Sequence, residues 1–271
     1  MEGAQLMEKY SLEHRKYLKK LKRSTVSVNA LRIGILTVFL ALWELLSDLQ
    51  IIDGFLFSSP TRILSTIKDL YLSGELFVHI GTTLYETLLG FFIASSLGIV
   101  VAVVMWCSDT VRKVFEPYLV VLNSLPKIAL GPLIIIWFGA GTKSIVFMAI
   151  IITVIVTVIN MLSGFIEADK DKILLLRSMG ANKFEIFTRL VFPASLPTLI
   201  STLKINVGMS WIGSIMGEYL VSKQGIGYLI VYGGQVFKLD LVMASTFILC
   251  VLAGLMYAIV ALVEKLLLKW R

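Results

Sequence analysis

Few side chains in this sequence could do chemistry, and most of them stand in apolar surroundings. Lys127 falls inside the stretch EPYLVVLNSLPKIALGPLIIIWFGAG, close to Asn123 and Ser124 and between the prolines Pro126 and Pro132. A lysine near the middle of a membrane span costs about 2.5–3.5 kcal/mol. A proline there frees a backbone carbonyl, and such breaks are tolerated where the backbone is buried in protein or lines a watery cavity. Asn123, Ser124 and Lys127 are therefore candidates for lining a polar path; a kinked packing helix accounts for the same residues equally well. A second set, Ser210, Trp211, Ser214 and Glu218, runs through a stretch that also holds Gly208, Gly213 and Gly217. Small residues four apart let helix backbones approach closely, so this set fits either a path lining or a packing face. Glu44, Glu86 and Lys204 fall near the ends of apolar runs and are expected to be interfacial charges, with Lys204 reaching toward headgroups.

No catalytic constellation accompanies these groups. FGAGTKS at 138–144 resembles a phosphate loop, but Thr142 separates Gly141 from Lys143 and no strand precedes it. No nucleophile, base and acid occur together. His14 and His79 are far apart in sequence, which argues against a histidine metal site, and Cys107 and Cys250 lie in separate apolar runs and imply no disulfide framework. If the protein does uphill work, its energy source is another chain or an ion gradient.

The elements that position these residues follow from hydropathy. The chain is 57% hydrophobic and 16% charged, with mean hydropathy +0.87, whereas soluble domains carry about a quarter charged residues. Six apolar segments, at about 30–48, 80–106, 117–138, 143–164, 197–221 and 242–267, are near the ~20 residues needed to cross a bilayer. The net charge of +7 is spread over the connections and argues for topology rather than nucleic acid. With the N-terminus inside, seventeen lysines and arginines fall on the cytoplasmic side and five outside, which predicts both termini in the cytoplasm. Residues 1–27 are basic, with Leu6, Tyr10, Tyr17, Leu18 and Leu21 loosely at helical spacing, and predict a helix lying on the inner leaflet. A membrane domain then occupies 28–271. Outside, SSPTRILSTIKDLYLSGEL predicts a short helix capped by Ser58 or Ser59 and opened by Pro60, with an apolar stripe of Ile63, Ile67, Leu70 and Tyr71.

The most informative connection is GFIEADKDKILLLRSMGANKFEIFTRLVFPASLP, residues 164–197. Lys170, Lys172, Arg177, Lys183 and Arg189 place it in the cytoplasm. Ile173, Leu174, Leu175, Leu176 and Met179 predict a short helix ending at Gly180, a natural C-terminal cap. Asn182 and Glu185 form the Asn-x-x-Glu pattern of a capping box for a second helix. Phe184, Phe187 and Val191 share one face of it, and Pro193 and Pro197 are expected to end it and open the fifth span. A helix–Gly–helix knob with apolar residues in the cytoplasm suits a protein groove; a pair of helices on the membrane surface is the competing reading.

At these residues the sequence resembles the inner-membrane permease of binding-protein-dependent ABC importers. The family signature is Glu-Ala-Ala, three residues, Gly, nine residues, then Ile-x-Leu-Pro. Gly180 matches, and Leu190-Val191-Phe192-Pro193 lies at the right distance. RSMGANKFEIFTRLVFPASLPTLISTLKINVG, SLPKIALGPLIIIWFGAGTKS, SSPTRI, GEYLVSKQGIGYLI and KLDLVMAS are similar to the nitrate/sulfonate/taurine branch, and the likeness covers nearly everything after residue 30. The resemblance implies an all-α fold of the MetI type with six membrane helices, in the inner membrane of a bacterial cell, and a permease rather than an enzyme. It implies a homodimer, a pair of ABC ATPase subunits gripping the 164–196 loop, and an extracytoplasmic solute-binding protein, with lipid around the chain and no nucleic acid. It implies no cofactor on this chain, ATP and Mg being held by the ATPase. The coupling residues it marks are Leu174, Leu175, Leu176, Arg177, Gly180, Ala181, Asn182, Phe184 and Phe187. One departure stands out: leucines occupy the Glu-Ala-Ala positions, so the grip is expected to be apolar, with Glu167, Asp169, Asp171 or Glu185 as substitute carboxylates. Two other classes compete. A membrane enzyme requires a catalytic cluster, and an ion-coupled carrier usually shows internal repeats; neither is visible.

Overall fold

The structure is a computed structural model in which residues 12–267 are described. Two compact units divide at Leu64 and Ser65, and each is described by itself. In the first, α1 (Leu12–Asp48) is one unbroken helix of 37 residues. The sequence reading separated a surface helix from a span near residue 28, but no glycine or proline stands there to break the helix, and it continues. The part of the basic tail before Leu12 lies outside the described residues. Glu44 is more than an interfacial charge. Its carboxylate accepts from the Thr61 amide at 3.0 Å, the Thr61 hydroxyl at 2.6 Å and the Ser59 hydroxyl at 3.2 Å, which fixes the first turn of α2 (Pro60–Leu72). Ser59 caps that helix as expected, accepting from the Arg62 amide.

The second unit continues with α3 (Glu75–Cys107), α4 (Asp109–Ser124), a 3-10 turn (Lys127–Leu130), α5 (Gly131–Phe138), α6 (Thr142–Ile166), α7 (Lys170–Ser178), α8 (Lys183–Ile186), α9 (Leu196–Val221), α10 (Ile226–Gln235) and α11 (Leu239–Leu267). Among the described residues there is no strand. Among the described residues, five helices are long and apolar enough to cross a membrane, and the pair 109–124 and 127–138 makes a sixth if counted as one span. That third segment starts eight residues earlier than its hydropathy suggests and bends by 86°. The bend falls at Leu125 and Pro126: Leu125 is extended at φ −64°, ψ 136°, because the proline ring crowds the residue before it out of the helical region.

The heart of the unit is α3, α6 and α9 packed on one another. The small residues of α9 permit this. A methyl group added at Gly213 would collide with the backbone of Ala149, and one at Gly217 would sit 2.8 Å from the Ile145 Cα. Polar side chains close the same interface. Asn206 Nδ2 donates to Ser95 Oγ at 2.8 Å and Thr157 Oγ1 at 2.9 Å, and the Thr153 and Ser210 hydroxyls are 3.2 Å apart. Trp211 packs with Phe91, Val207 and Met256. Lys204 pairs with Glu264 of α11 at 2.5 Å instead of standing alone at an interface. Leu70 and Ile67 of α2 pack with Leu76, Ile226 and Leu229, while Tyr71 turns outward against Phe77.

Candidate functional site

The 164–196 loop assembles from local signals. Asp169 caps α7, its carboxylate accepting from the amides of Asp171 at 3.0 Å and Lys172 at 3.2 Å and pairing with the Lys172 ammonium at 3.3 Å. The Lys172 amide is the main reason its carboxyl is held below the usual aspartate range. The helix closes at Gly180, whose φ of +85° favours glycine. There the Ala181 amide returns to the Leu176 carbonyl, satisfying an end-of-helix acceptor. The predicted capping box is present. The Glu185 amide donates to Asn182 Oδ1 and the Asn182 amide to Glu185 Oε2, each at 2.9 Å.

The prolines behave differently from expectation. Neither Pro193 nor Pro197 ends the second helix. A π turn, Phe187–Val191, follows α8 directly, the Phe192 amide returns to the Phe187 carbonyl, and helical backbone continues with only a local kink at Ser195. Each proline stands in the first turn of a new helical piece, where no amide is needed. Lys183–Val221 thereby runs as a single 39-residue rod.

The apolar residues of the loop divide into two sets. Phe187 is held in an aromatic cluster, 5.2 Å from Trp106, 5.3 Å from Phe165 and 5.9 Å from Phe192. Ile186 and Val191 are buried, and Ile173, Leu176 and Ala181 pack on the same core of Met105, Met161 and Phe165. Lys183 reaches back to the Cys107 carbonyl at 3.2 Å, tying the loop to the end of α3. The second set faces outward: Leu174, Leu175, Met179 and Phe184 are 67%, 59%, 75% and 75% exposed. Phe184 and Phe187, read as one face in the sequence, have opposite fates: Phe187 packs in the aromatic cluster and Phe184 stands exposed. Of the three leucines at the Glu-Ala-Ala positions, only Leu174 and Leu175 are presented. Arg177, Gly180 and Asn182 are exposed beside them. Of the substitute carboxylates, Asp169 and Glu185 are occupied in caps, leaving Glu167 and Asp171 exposed.

The path candidates separate as well. Asn123 and Ser124 are exposed at the end of α4, and Lys127 Nζ donates to the Asn123 carbonyl at 3.1 Å and approaches its side-chain oxygen at 3.5 Å, bracing the bend. Ser210, Trp211, Ser214 and Glu218 are all buried within the chain. Glu86, expected at an interface, is also buried. At the far end of α9 a cradle appears that the sequence reading missed. The first amides of α10 are met by side chains: Gly225 by His79 Nδ1 at 2.9 Å, Ile226 by Thr83 Oγ1 at 2.8 Å and Gly227 by Glu218 Oε2 at 2.6 Å. The glycines of QGIGY were the available signal. A methyl at Gly227 would sit 2.8 Å from Glu218 Oε2.

The arrangement is a capped helical knob that presents apolar side chains. The chain resembles known proteins over most of its length. A formylaminopyrimidine transport permease protein, ThiX of Halalkalibacterium halodurans, is 31% identical over 86% of this chain and 93% of its own length. The taurine transport system permease protein TauC of Escherichia coli is 25% identical over 89% of each. Among solved structures, an inward-facing MetNI methionine ABC transporter aligns at TM-score 0.65 with 16% identity, over 72% of this chain and 97% of that one. A bacterial alginate ABC transporter, in complex with an alginate pentasaccharide-bound periplasmic protein, aligns at 0.63 with 16% identity, over 91% and 96%. The family model for the binding-protein-dependent transport system inner membrane component matches residues 94–270. The chain belongs to that family, as a multi-pass inner-membrane permease subunit of an ABC importer and not an enzyme.

Proposed function

We propose that two copies of this chain enclose the translocation path, with the 164–196 loop in the cytoplasm as the handle for a pair of separate ATPase subunits and an extracytoplasmic binding protein delivering a small solute. ATP and Mg belong to the ATPase, and both termini face the cytoplasm. The observation that carries this reading is the division of the loop. One apolar set is locked into the core while Leu174, Leu175, Met179 and Phe184 stand exposed on a capped, rigid knob. Closure of the ATPase pair would draw the two knobs together. Because helical backbone continues from Lys183 to Val221, α9 moves with the knob, and the opposite end of the bundle opens. Asn123, Ser124 and Lys127, at the exposed bend, line the path; the apolar face of α4 around Val120, Val121 and Leu125 meets the second copy. The relatives' names specify unlike cargoes, taurine and a formylaminopyrimidine, so selection of the solute rests with the binding protein.

The test is co-purification of the chain with its candidate ATPase, followed by ATP-driven uptake in liposomes. Leu174→Asp combined with Phe184→Asp is expected to abolish both while the permease stays folded, since both side chains are exposed. Retention of both activities would overturn the proposed grip. Lys127→Ala and Asn123→Ala are expected to change uptake with the ATPase still bound; unchanged uptake returns them to a purely structural role.

A further inference from the structure

Between the knob and the ends of α3 and α6 lies a cavity of about 480 Å³. Its floor is apolar, with Trp106 in the last turn of α3 and Phe165 and Ile166 in the last turn of α6. Both helices are long and apolar enough to cross a membrane, so the cavity sits where their hydrophobic lengths stop. Its walls are charged. Four cations line it, Arg112 of α4, Lys170 and Arg177 of α7 and Lys183 of α8, against two carboxylates, Asp109 and Asp171, which leaves an excess of two positive charges. Part of that charge is used within the chain. Arg112 Nη2 pairs with Asp109 Oδ1 at 3.0 Å, and the Lys183 ammonium donates to the Cys107 carbonyl at 3.2 Å. The rest is unused. Among the described residues Lys170 and Arg177 form no ion pair; the ion pairs are Arg112 with Asp109, Lys172 with Asp169 and Lys204 with Glu264. Arg112 Nε is buried and has no acceptor among them. The amides that open α7 are already taken by Asp169, so an anion in this cavity meets side chains and not a bare helix end.

A buried guanidinium N–H without an acceptor is costly, and the unpaired cations around the same cavity repel one another. A group that carries negative charge and only accepts hydrogen bonds relieves both. A phosphate is such a group, and arginine and lysine bind it through charge-assisted bonds. The apolar floor selects the source of the phosphate. A free phosphate ion gives up hydration against Trp106 and Phe165 and gains nothing from them. A phospholipid lays its glycerol and first chain carbons on those rings while its phosphate reaches the cations. Basic pockets between membrane helices hold anionic headgroups in this way, and tryptophan favours the same depth. We infer that the cavity holds the phosphodiester of one anionic phospholipid, clamped between Arg112 at the start of α4 and Lys170 and Arg177 of α7. The lipid ties the corner between α3 and α4 to the knob, beside the direct link from Lys183 to Cys107. A zwitterionic lipid brings no net charge to the excess of two and binds more weakly. This site requires only that α3 and α6 end at a bilayer surface; it does not depend on the ATPase or on the solute.

The experiment uses the full-length chain with no ATPase present. Native mass spectrometry in detergent, with phosphatidylglycerol or phosphatidylcholine added, counts bound lipid. One phosphatidylglycerol per chain should bind at least about tenfold more tightly than phosphatidylcholine, the spare positive charges supplying the difference. In phosphatidylglycerol nanodiscs, amide exchange across 170–178 should be slower than in phosphatidylcholine nanodiscs. Lys170→Gln combined with Arg177→Gln should abolish both the preference and the slowing. Both side chains are exposed, so the unfolding midpoint of this variant in phosphatidylcholine should match the parent. Arg112→Gln should weaken the preference as well. Lys113→Gln combined with Lys172→Gln removes two charges of α4 and α7 that lie outside the cavity, and should leave the preference and the slowing in place. Equal binding of the two lipids, equal losses in the two paired variants, or a parent-like preference in Arg112→Gln would each overturn the proposal. So would slowed exchange with inorganic phosphate in detergent and none with phosphatidylglycerol, the mark of a free-phosphate site.

Discussion

The two ends of α9 solve opposite problems. At the loop end, polar groups are spent on caps and apolar side chains are left in the open. At the far end, apolar contacts close the structure and polar groups, even carboxyls, are enclosed. Leu174 and Phe184 stand exposed, and the proposed ATPase contact would bury them. Enclosed Glu218 is met by the Gly227 amide, since a buried polar group is costly without a partner. In the proposed assembly one end is completed by another protein, whereas the other is closed within the chain.

That contrast can be broken at either end. The largest effect is expected at the enclosed end: Gly217→Leu drives a side chain into the Ile145 backbone and should destabilise the chain by about 3 kcal/mol, read as a lowered unfolding midpoint in detergent. A neutral result would mean that the α6–α9 contact is loose. At the loop end, Phe187→Ala removes the aromatic anchor and should cost about 2 kcal/mol, less than a fully buried phenylalanine because Phe187 is half-buried. The same substitution at exposed Phe184 should leave stability within about 0.5 kcal/mol, so equal effects at the two positions would erase the distinction between anchor and handle. Asn182→Ala removes one arm of the capping box and should cost about 1 kcal/mol, detectable as faster amide exchange at Glu185.

The smallest effect is one of pH. The Lys172 amide, chiefly, holds the Asp169 carboxyl below its ordinary range. A carboxyl with a lowered folded value stabilises the fold above its unfolded value and loses that contribution as pH falls through the folded one. The first turn of α7 should therefore loosen only in the acid range below about pH 4. Amide chemical shifts of Asp171 and Lys172 would report it, and Asp169→Asn, which still caps, should abolish the titration.

Much of the loop end was legible in the sequence because its determinants are local. The capping box needs only Asn182 and Glu185, three residues apart, and the close of α7 needs only Gly180. The apolar segments were legible for the same reason, with their ends shifted: Asp109–Ser124 precedes the apolar core of its segment and escaped a hydropathy window. The missing break in α1, the continuation through Pro193 and Pro197, and the helix Ile226–Gln235 were not legible. Each depends on whether neighbouring turns can supply the bonds that a local pattern leaves open. The burial of Ser210, Trp211 and Ser214 was ambiguous from the start, since small residues four apart serve a path or a packed face alike, and only the position of α6 against α9 distinguishes them.

The amino-acid sequence by itself determined the solvent this protein lives in, the family to which it belongs and the presence of a capped helical knob, because hydropathy, motif spacing and caps act over a few residues. Tertiary structure alone decided which of the knob's similar apolar side chains are anchored and which are exposed, and that His79 and Thr83 meet the first amides of α10. Those outcomes depend on helices distant in the chain arriving at the same place.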